Sequence, residues 1–440
     1  MDESEYYAAL DIGSSTVKLL VGKVADDTVH VIGVTEVASK GIRKGTIIDI
    51  EATVKSIKQV IEEAERMMNV KVSEVVLGIP ANDVQFQKAK GVVAINNDNR
   101  EITDDELHRV IDSAQLMSVS PEREVLNIVP KQFIVDDYDE IKDPRGMLGI
   151  RLELEGTLIT TSKTLLHNIL RCVDKAGVQV REIYLQSLAA GTFALTEDEK
   201  NHGVAYVDIG GGITTVTVFK DNHIVGSSVI PVGGDNMTKD LSIVLKTSTE
   251  EARKIKYHYG HMYVEDALDD WIEVPVIDQD KHENISQKYV AEILGARMEE
   301  LFDLIIDELY NMNVTDLPGG IILTGGATKV EGILHLARDV FQLRVRLHAP
   351  PYIGVRDPKY TTAVGLIQYA AKDDQFYNRS YVPAQDFKQP QPSNENQQSQ
   401  SDFYEDEDFY DYDDEYEQEK KEKKEGLFSK TKKLFNNFFD

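Results

Sequence analysis

Two segments of this 440-residue chain carry the same arrangement of chemistry. Leu10-Asp11-Ile12-Gly13-Ser14-Ser15-Thr16-Val17-Lys18 leads from a strand-like run through an acid, a glycine and hydroxyl residues into a second strand-like run. Val207-Asp208-Ile209-Gly210-Gly211-Gly212-Ile213-Thr214-Thr215 repeats that design far downstream. A tight turn of small residues aims backbone N–H groups and hydroxyls at a phosphate. Two such turns facing each other would bring Asp11 and Asp208 together around a hydrated Mg2+, which keeps waters and takes few protein carboxylates. A lone Gly-Gly is usually no more than a turn. Two copies of Asp-Ile-Gly at strand–turn–strand boundaries instead imply two related half-domains across a cleft. A third segment, Ile321-Ile322-Leu323-Thr324-Gly325-Gly326-Ala327-Thr328-Lys329, ends a strand in glycines, which lets the backbone approach a flat or bulky ligand group. A fourth, 186–191, puts small residues on a helix and reads as a tight helix crossing. GxxxxGK[ST] and strand–GxGxxG–helix patterns are absent, which excludes P-loop and Rossmann readings.

The elements around these segments alternate. Residues 7–10, 17–21 and 29–37 read as strands, 52–69 as a helix and 72–79 as a strand. Residues 204–208 and 215–220 read as hairpin arms, 287–310 as a long helix and 320–323 as a short buried strand. This is α/β layering, helices on sheets. The chain has 48 Lys plus Arg against 76 Asp plus Glu, a net charge of −28. That acidity argues against nucleic acid as a partner, since such binding neutralises phosphates with Lys and Arg. A single cysteine, Cys172, excludes an intrachain disulfide and points to a reducing compartment. The acidic first five residues carry no signal-peptide pattern. No apolar run approaches the roughly 20 residues of a membrane span.

Past about residue 376 the composition shifts. Residues 385–401 are rich in Gln, Pro, Ser and Asn, and 402–419 hold eleven acids and no Lys or Arg. A segment of that kind buries too little apolar surface to offset chain entropy and is expected to be disordered. Residues 420–440 carry seven lysines and three acids. On a helical wheel Leu427, Phe428, Leu434, Phe435, Phe438 and Phe439 share one arc about 140° wide, with Lys430, Lys432 and Lys433 on the remainder. That pattern predicts a helix lying in a bilayer interface, its lysines reaching anionic lipid headgroups.

Other candidates are weaker. His258 and His261 have H-x-x-H spacing but no further ligand nearby, and read as surface residues. Cys172 lies on an apolar helix face and reads as an inert core thiol. Trp271 sits in an acidic loop, as a packing anchor or a partner contact. There is no G-x-S-x-G.

The glycine-turn segments, in this order, resemble the nucleotide-binding set of the actin, sugar kinase and heat-shock chaperone superfamily. Residues 11–18 match its first phosphate loop, 182–191 its first connecting helix, 208–215 its second phosphate loop, 323–329 its adenosine loop and 360–369 its second connecting helix. Within the superfamily the chain resembles the FtsA family of bacterial cell-division proteins over about residues 5–375 plus the tip. Val129-Pro130-Lys131-Gln132-Phe133-Ile134-Val135-Asp136, Pro144-Arg145-Gly146-Met147-Leu148-Gly149-Ile150-Arg151-Leu152-Glu153 and the amphipathic C-terminus carry that narrower likeness.

The resemblance implies an α/β, actin-like two-lobe ATPase fold of duplicated sheet-and-helix domains. Lobe one would take 1–82 and 163–200, completed by a helix over 360–375. A subdomain 1C insert would take 83–162. Lobe two would take 201–238 and 318–359, with a subdomain 2B over 239–317, a disordered linker over 376–425 and the membrane helix over 426–440. ATP with Mg2+ would lie between the lobes. Asp11, Gly13, Ser14, Ser15 and Lys18 would hold the phosphates from one side, and Asp208, Gly210, Gly211, Gly212, Thr214 and Thr215 from the other. Gly325, Gly326, Ala327 and Lys329 would line the adenosine, with Glu251 and Lys254 at ribose and adenine. Glu182 would orient the attacking water.

The implied function is to polymerise on the inner face of the cytoplasmic membrane, hold the C-terminal peptide of FtsZ on subdomain 2B and tether FtsZ filaments at the septal ring. Later division proteins would be further partners. Arg297 is a candidate contact for the partly acidic FtsZ tail; it reads equally well as a helix pair with Glu299 or Glu300. The resemblance implies slow ATP hydrolysis at most. The alternative is a metabolic kinase of the same superfamily, which gives no reason for a membrane tail. A chaperone would need a substrate-binding β-domain where this chain has acid-rich residues.

Overall fold

The computed structural model describes residues 6–116, 119–277 and 281–379. The expectations for the linker beyond 379 and for the lysine-edged apolar arc of 426–440 lie outside the described residues.

Strands β1 (Tyr7–Ile12), β2 (Thr16–Ala25) and β3 (Thr28–Ala38) form an antiparallel meander. A small hairpin, β4 (Ile42–Arg43) and β5 (Thr46–Ile47), leads to α1 (Ile50–Met68), and β6 (Glu74–Ile79) returns parallel to β1. Asp49 caps α1 by accepting the Ala52 N–H at 3.0 Å. Val54, Ile57, Val60, Ile61 and Ala64 recur at helical spacing and are buried against the sheet. Each of the larger ones contributes about 1.5–3 kcal/mol by leaving water.

The chain then leaves this sheet to build an inserted layer of β7 (Gln85–Ala94), α2 (Asp104–Gln115), β8 (Arg123–Val135), β9 (Tyr138–Ile141) and β10 (Arg151–Ser162). Its sheet runs β7-β10-β8-β9 and has its own core, with Leu107, Val110 and Ile111 of α2 against Phe133, Leu152 and Leu154. Helix α3 (Lys163–Ala176) brings the chain back to β11 (Gln179–Leu185), parallel to β6, followed by α4 (Gln186–Ala194) and α5 (Glu197–His202). Cys172 on α3 is buried, as expected.

The second half repeats the first. Strands β12 (Val204–Ile209), β13 (Thr214–Lys220) and β14 (His223–Ile230) form a second meander. An excursion follows through α6 (Gly234–Val244), α7 (Thr249–His258), the β15 (Trp271–Pro275) and β16 (His282–Ser286) hairpin and the long α8 (Gln287–Asn311). Then β17 (Ile321–Thr324) joins parallel to β12, and α9 (Ile333–Phe341), β18 (Val345–Leu347) and α10 (Thr361–Phe376) close the fold. The sheets read β11-β6-β1-β2-β3 and β18-β17-β12-β13-β14, the same topology twice. Helices α4 and α10 cross where Gly365 seats on Ala189 and Ala190, the tight crossing expected of 186–191.

Two expectations change here. Trp271 is not in a loop but opens β15, 69% exposed and paired in register with Ser286. Residues 376–379, assigned to the linker, are packed. Phe376 stacks on Phe133 and its carbonyl accepts from Arg145 Nη1 at 3.0 Å, while Tyr377 stacks on His108. Arg379 pairs with Glu182 and with Asp373 (3.4 Å). The composition shift marks the end of apolar periodicity, whereas packing continues through aromatic and ionic contacts.

Candidate functional site

The two aspartate turns are built alike. Gly13 N–H donates to the Thr16 carbonyl, and Gly210 N–H to the Ile213 carbonyl, both at 3.0 Å. Asp11 pairs in register with Lys18, and Asp208 with Thr215. The turns also meet. A Cβ on Gly211 would overlap Ser15 Oγ, so glycine is what lets them approach. Ser15 Oγ donates to Asp235 Oδ2 at 2.5 Å, tying the first turn to the start of α6. Ser14 Oγ accepts the Gly45 N–H from the β4–β5 hairpin at 2.8 Å.

At the base of the turns, Asp11 uses both oxygens. Oδ2 pairs with Lys18 Nζ at 2.9 Å and Oδ1 accepts from Gln186 Nε2 at 2.8 Å. Burial opposes the charge of Lys18, but Asp11, Glu36 and Asp208 outweigh it and hold its pKa above the usual lysine value. Asp208 Oδ2 accepts from Thr362 Oγ1 at 3.1 Å. Burial, and after it the neighbouring Asp11, push the Asp208 carboxyl up to about 6; Lys18 and Thr362 oppose this only in part. Gly325, at φ +95°, lies so close that a Cβ there would overlap Asp208 Oδ1.

This donor set fits a hydrated divalent cation. Two carboxylates lie within electrostatic reach of each other, and Asp208 is short of positive charge. Among the described residues no three His, Cys, Asp or Glu side chains form a metal cage, and His258 and His261 form none either. A site of two carboxylates plus water is the Mg2+ pattern rather than the dry zinc one.

Several expected residues stand elsewhere. Glu182 is on strand β11, not on a helix, and its carboxylate pairs with Arg379. Burial raises its pKa against the pull of Arg379. The polar side chain that does reach Asp11 is Gln186, first residue of α4. Thr214 is fully buried and donates to the Val232 carbonyl at 2.8 Å, within its own lobe. Glu251 and Lys254 pair with each other at 3.2 Å.

The face of α7 turned to the Gly234–Asp235 corner carries Arg253, 3.6 Å from Asp235, and Lys256. Lys256 is 2% exposed and donates to the Gly234 carbonyl at 2.7 Å and to Thr238 Oγ1 at 2.8 Å. Burial lowers its pKa to about 8 despite Asp235. Gly326 and Ala327 follow Gly325 in a short 3-10 turn, and Lys329 pairs with Asp357 at 2.8 Å. A cavity of about 510 Å³ opens beside this loop, lined by Thr328, Lys329, His335, Arg338 and Leu347, and includes neither aspartate. Arg297 holds Asp240 at 2.5 Å and Glu300 at 2.6 Å, so the Glu300 pairing is realised.

The family profile described as "Cell division protein FtsA" matches residues 205–365, and that of the "SHS2 domain inserted in FTSA" matches 81–160. The "Cell division protein FtsA" of Bacillus subtilis (strain 168) is 49% identical over 380 residues, covering 86% of each chain. The chain belongs to the FtsA family of cell division proteins. Its Enterococcus faecalis (strain ATCC 700802 / V583) relative is 34% identical over 443 residues, covering all of both chains. Among solved structures, the PilM-PilN type IV pilus biogenesis complex matches with TM-score 0.56 at 15% identity, covering 82% of this chain and 98% of that one. MreB5 of Spiroplasma citri bound to ADP matches with TM-score 0.54 at 17% identity, covering 86% and 100%. The FtsA-family chain therefore has an actin-like fold, as its duplicated sheets already imply. A metabolic kinase is set aside, because its full-length relatives are cell division proteins. Among the described residues no helix is long and apolar enough to cross a membrane.

Proposed function

We propose that this FtsA-family protein binds Mg·ATP between its two aspartate turns, self-associates into filaments and joins FtsZ to the cytoplasmic face of the membrane at the division septum. The observation that carries the nucleotide part is the convergence of Asp11 and Asp208 from equivalent ends of duplicated strands. The actin-like neighbour MreB5, solved with ADP, supports it by analogy of fold.

In this reading, the N–H groups of Gly13 and Gly210–Gly212, with Ser14, Ser15 and Lys18, hold the phosphates. Asp11 and Asp208 take waters of the cation. Gly325, Gly326, Ala327 and Lys329 line the adenosine, and Arg253 and Lys256 replace Glu251 and Lys254 on the facing helix. Gln186, fixed by Asp11, replaces Glu182 as the group placed to orient water at the terminal phosphate. Gln186→Ala should slow ATP turnover roughly tenfold or more, whereas Glu182→Gln should leave it within about twofold. A steady-state phosphate-release assay distinguishes them, and equal effects would remove Gln186 from this role.

The membrane part rests on residues 427–439. Deleting 427–440, or Phe435→Glu, should abolish cosedimentation of the full chain with anionic vesicles and, with it, recruitment of FtsZ to those vesicles. Raised salt should weaken binding by screening the lysines. Vesicle binding that survives the deletion would defeat the tethering reading. On subdomain 2B, Arg297 would serve the acidic FtsZ tail by exchanging a carboxylate, since Asp240 and Glu300 already hold it.

A further inference from the structure

Tyr206 on β12 is fully buried, and its hydroxyl has no hydrogen-bond partner. Side chains two apart on a strand share a face, so Tyr206 and Asp208 point the same way. The ring packs with Leu185, Leu188 and Ala190 of the β11–α4 corner, and with Ile322 of β17. These flank Gln186, which holds Asp11. Asp11 is committed to Lys18 and Gln186; the Thr362 hydroxyl, the polar neighbour of the Tyr206 phenol, spends its proton on Asp208 and makes no hydrogen bond of ordinary geometry with that phenol. A phenolic hydroxyl is a donor at neutral pH.

A buried hydroxyl without a partner costs stability. Phenylalanine would fill the same apolar corner without that cost. The group therefore makes sense beside two carboxylates if an acceptor arrives with the ligand. A water needs two to four polar partners to be held in a buried place. A water between Asp208 and a cation would find its second anchor in this hydroxyl.

We propose that Tyr206 is a positioning donor for the hydrated cation: with Mg2+ and nucleotide bound, its hydroxyl hydrogen-bonds a water shared by the cation and Asp208. This rests on the Mg·ATP reading above. The residue touches neither phosphate nor protein ligand atoms in that role; it fixes the water that links the carboxylate to the metal.

The test is Tyr206→Phe in the full chain. Calorimetric titrations with Mg·ATP and with ATP in EDTA are paired with thermal unfolding of the nucleotide-free protein. The Mg·ATP Kd is expected to rise about three- to tenfold, the loss of one hydrogen bond. ATP affinity in EDTA should stay the same, and the nucleotide-free unfolding midpoint should stay equal or rise. Unchanged Mg·ATP affinity overturns the assignment. So does an equal loss in EDTA, which would place the hydroxyl's role outside the cation shell. A lowered nucleotide-free midpoint overturns it too, because the hydroxyl would then already have a partner. If the wild-type chain does not bind Mg·ATP at all, the failure belongs to the nucleotide reading itself.

Discussion

Asp208→Asn is expected to abolish detectable Mg·ATP binding while making the nucleotide-free protein more stable. The folded carboxyl titrates at about 6 against an ordinary value of 3.8. The native state therefore holds this proton more tightly than the unfolded chain does. Stability from this group is fully present below about pH 4, declines as pH rises through about 6, and stays low above it. The penalty at neutral pH is on the order of 3 kcal/mol at most. Asparagine keeps an acceptor for Thr362 and carries no charge to bury or to repel Asp11. The variant's unfolding midpoint should exceed that of the wild type by a few degrees at pH 7–8 and converge with it near pH 4. Calorimetry should register the lost binding as a fall of at least about a hundredfold, since a buried carboxylate facing a divalent cation is not replaced by an amide. The same linkage sets the wild-type pH profile. Cation binding requires the carboxylate, so Mg·ATP affinity should fall up to about tenfold per pH unit below 6, with proton release on binding. A variant less stable than wild type at pH 8 would mean that Asp208 is held by interactions stronger than its repulsion from Asp11.

Gly325→Ala is expected to damage both stability and binding. The residue sits at φ +95°, and a Cβ there would overlap Asp208 Oδ1 and lie 2.5 Å from the Ile209 carbonyl oxygen. Neither neighbour yields easily, because one is the end of β12 and the other the Asp208 carboxylate, held by Thr362. Left-handed backbone at a non-glycine residue plus a backbone clash predicts a loss of about 3 kcal/mol or more. The adjacent Gly326 is the control. A Cβ there meets Lys359 Cβ at 3.6 Å, ordinary contact, and its φ is unremarkable. Gly326→Ala should fold with nearly wild-type stability in thermal unfolding. Equal tolerance of both alanines would show that the Gly325–Asp208 approach relaxes without cost. Together the variants separate two kinds of site residue: Asp208 weakens the empty fold, while Gly325 is required to build it.

The parts of this site that were legible in the sequence are local. Asp11 and Asp208 each end a strand before glycine and hydroxyl residues, and that pattern is contained in nine residues. The parts that were not legible depend on where elements end and how they are rotated. The stretch Glu182-Ile183-Tyr184-Leu185-Gln186-Ser187 offers several polar side chains, Glu182 and Gln186 among them. Only the end of β11 at Leu185 shows that Gln186, not Glu182, starts the helix beside Asp11. On α7 the rotation is set by burial of Ala252 and Ile255, which turns Arg253 and Lys256 toward the Gly234–Asp235 corner. The resemblance points to Glu251 and Lys254 on this helix, and those two pair with each other. Asp235 and Thr362 join the site over long sequence separations, and no spacing rule connects them to Ser15 or Asp208. Thr214 has the right type and the right turn, but its hydroxyl serves the Val232 carbonyl.

The chain leaves its described body at a seam rather than at a free end. Phe376 and Asn378 are held by the inserted layer through Arg145 and Asp104, and Arg379 is held by Glu182 of lobe one. A pull on Arg379 would load the inserted layer and β11 together, and would not simply fray the last helical turn. The contacts of Arg145, Asp104 and Glu182 would thus bear that load before α10 does.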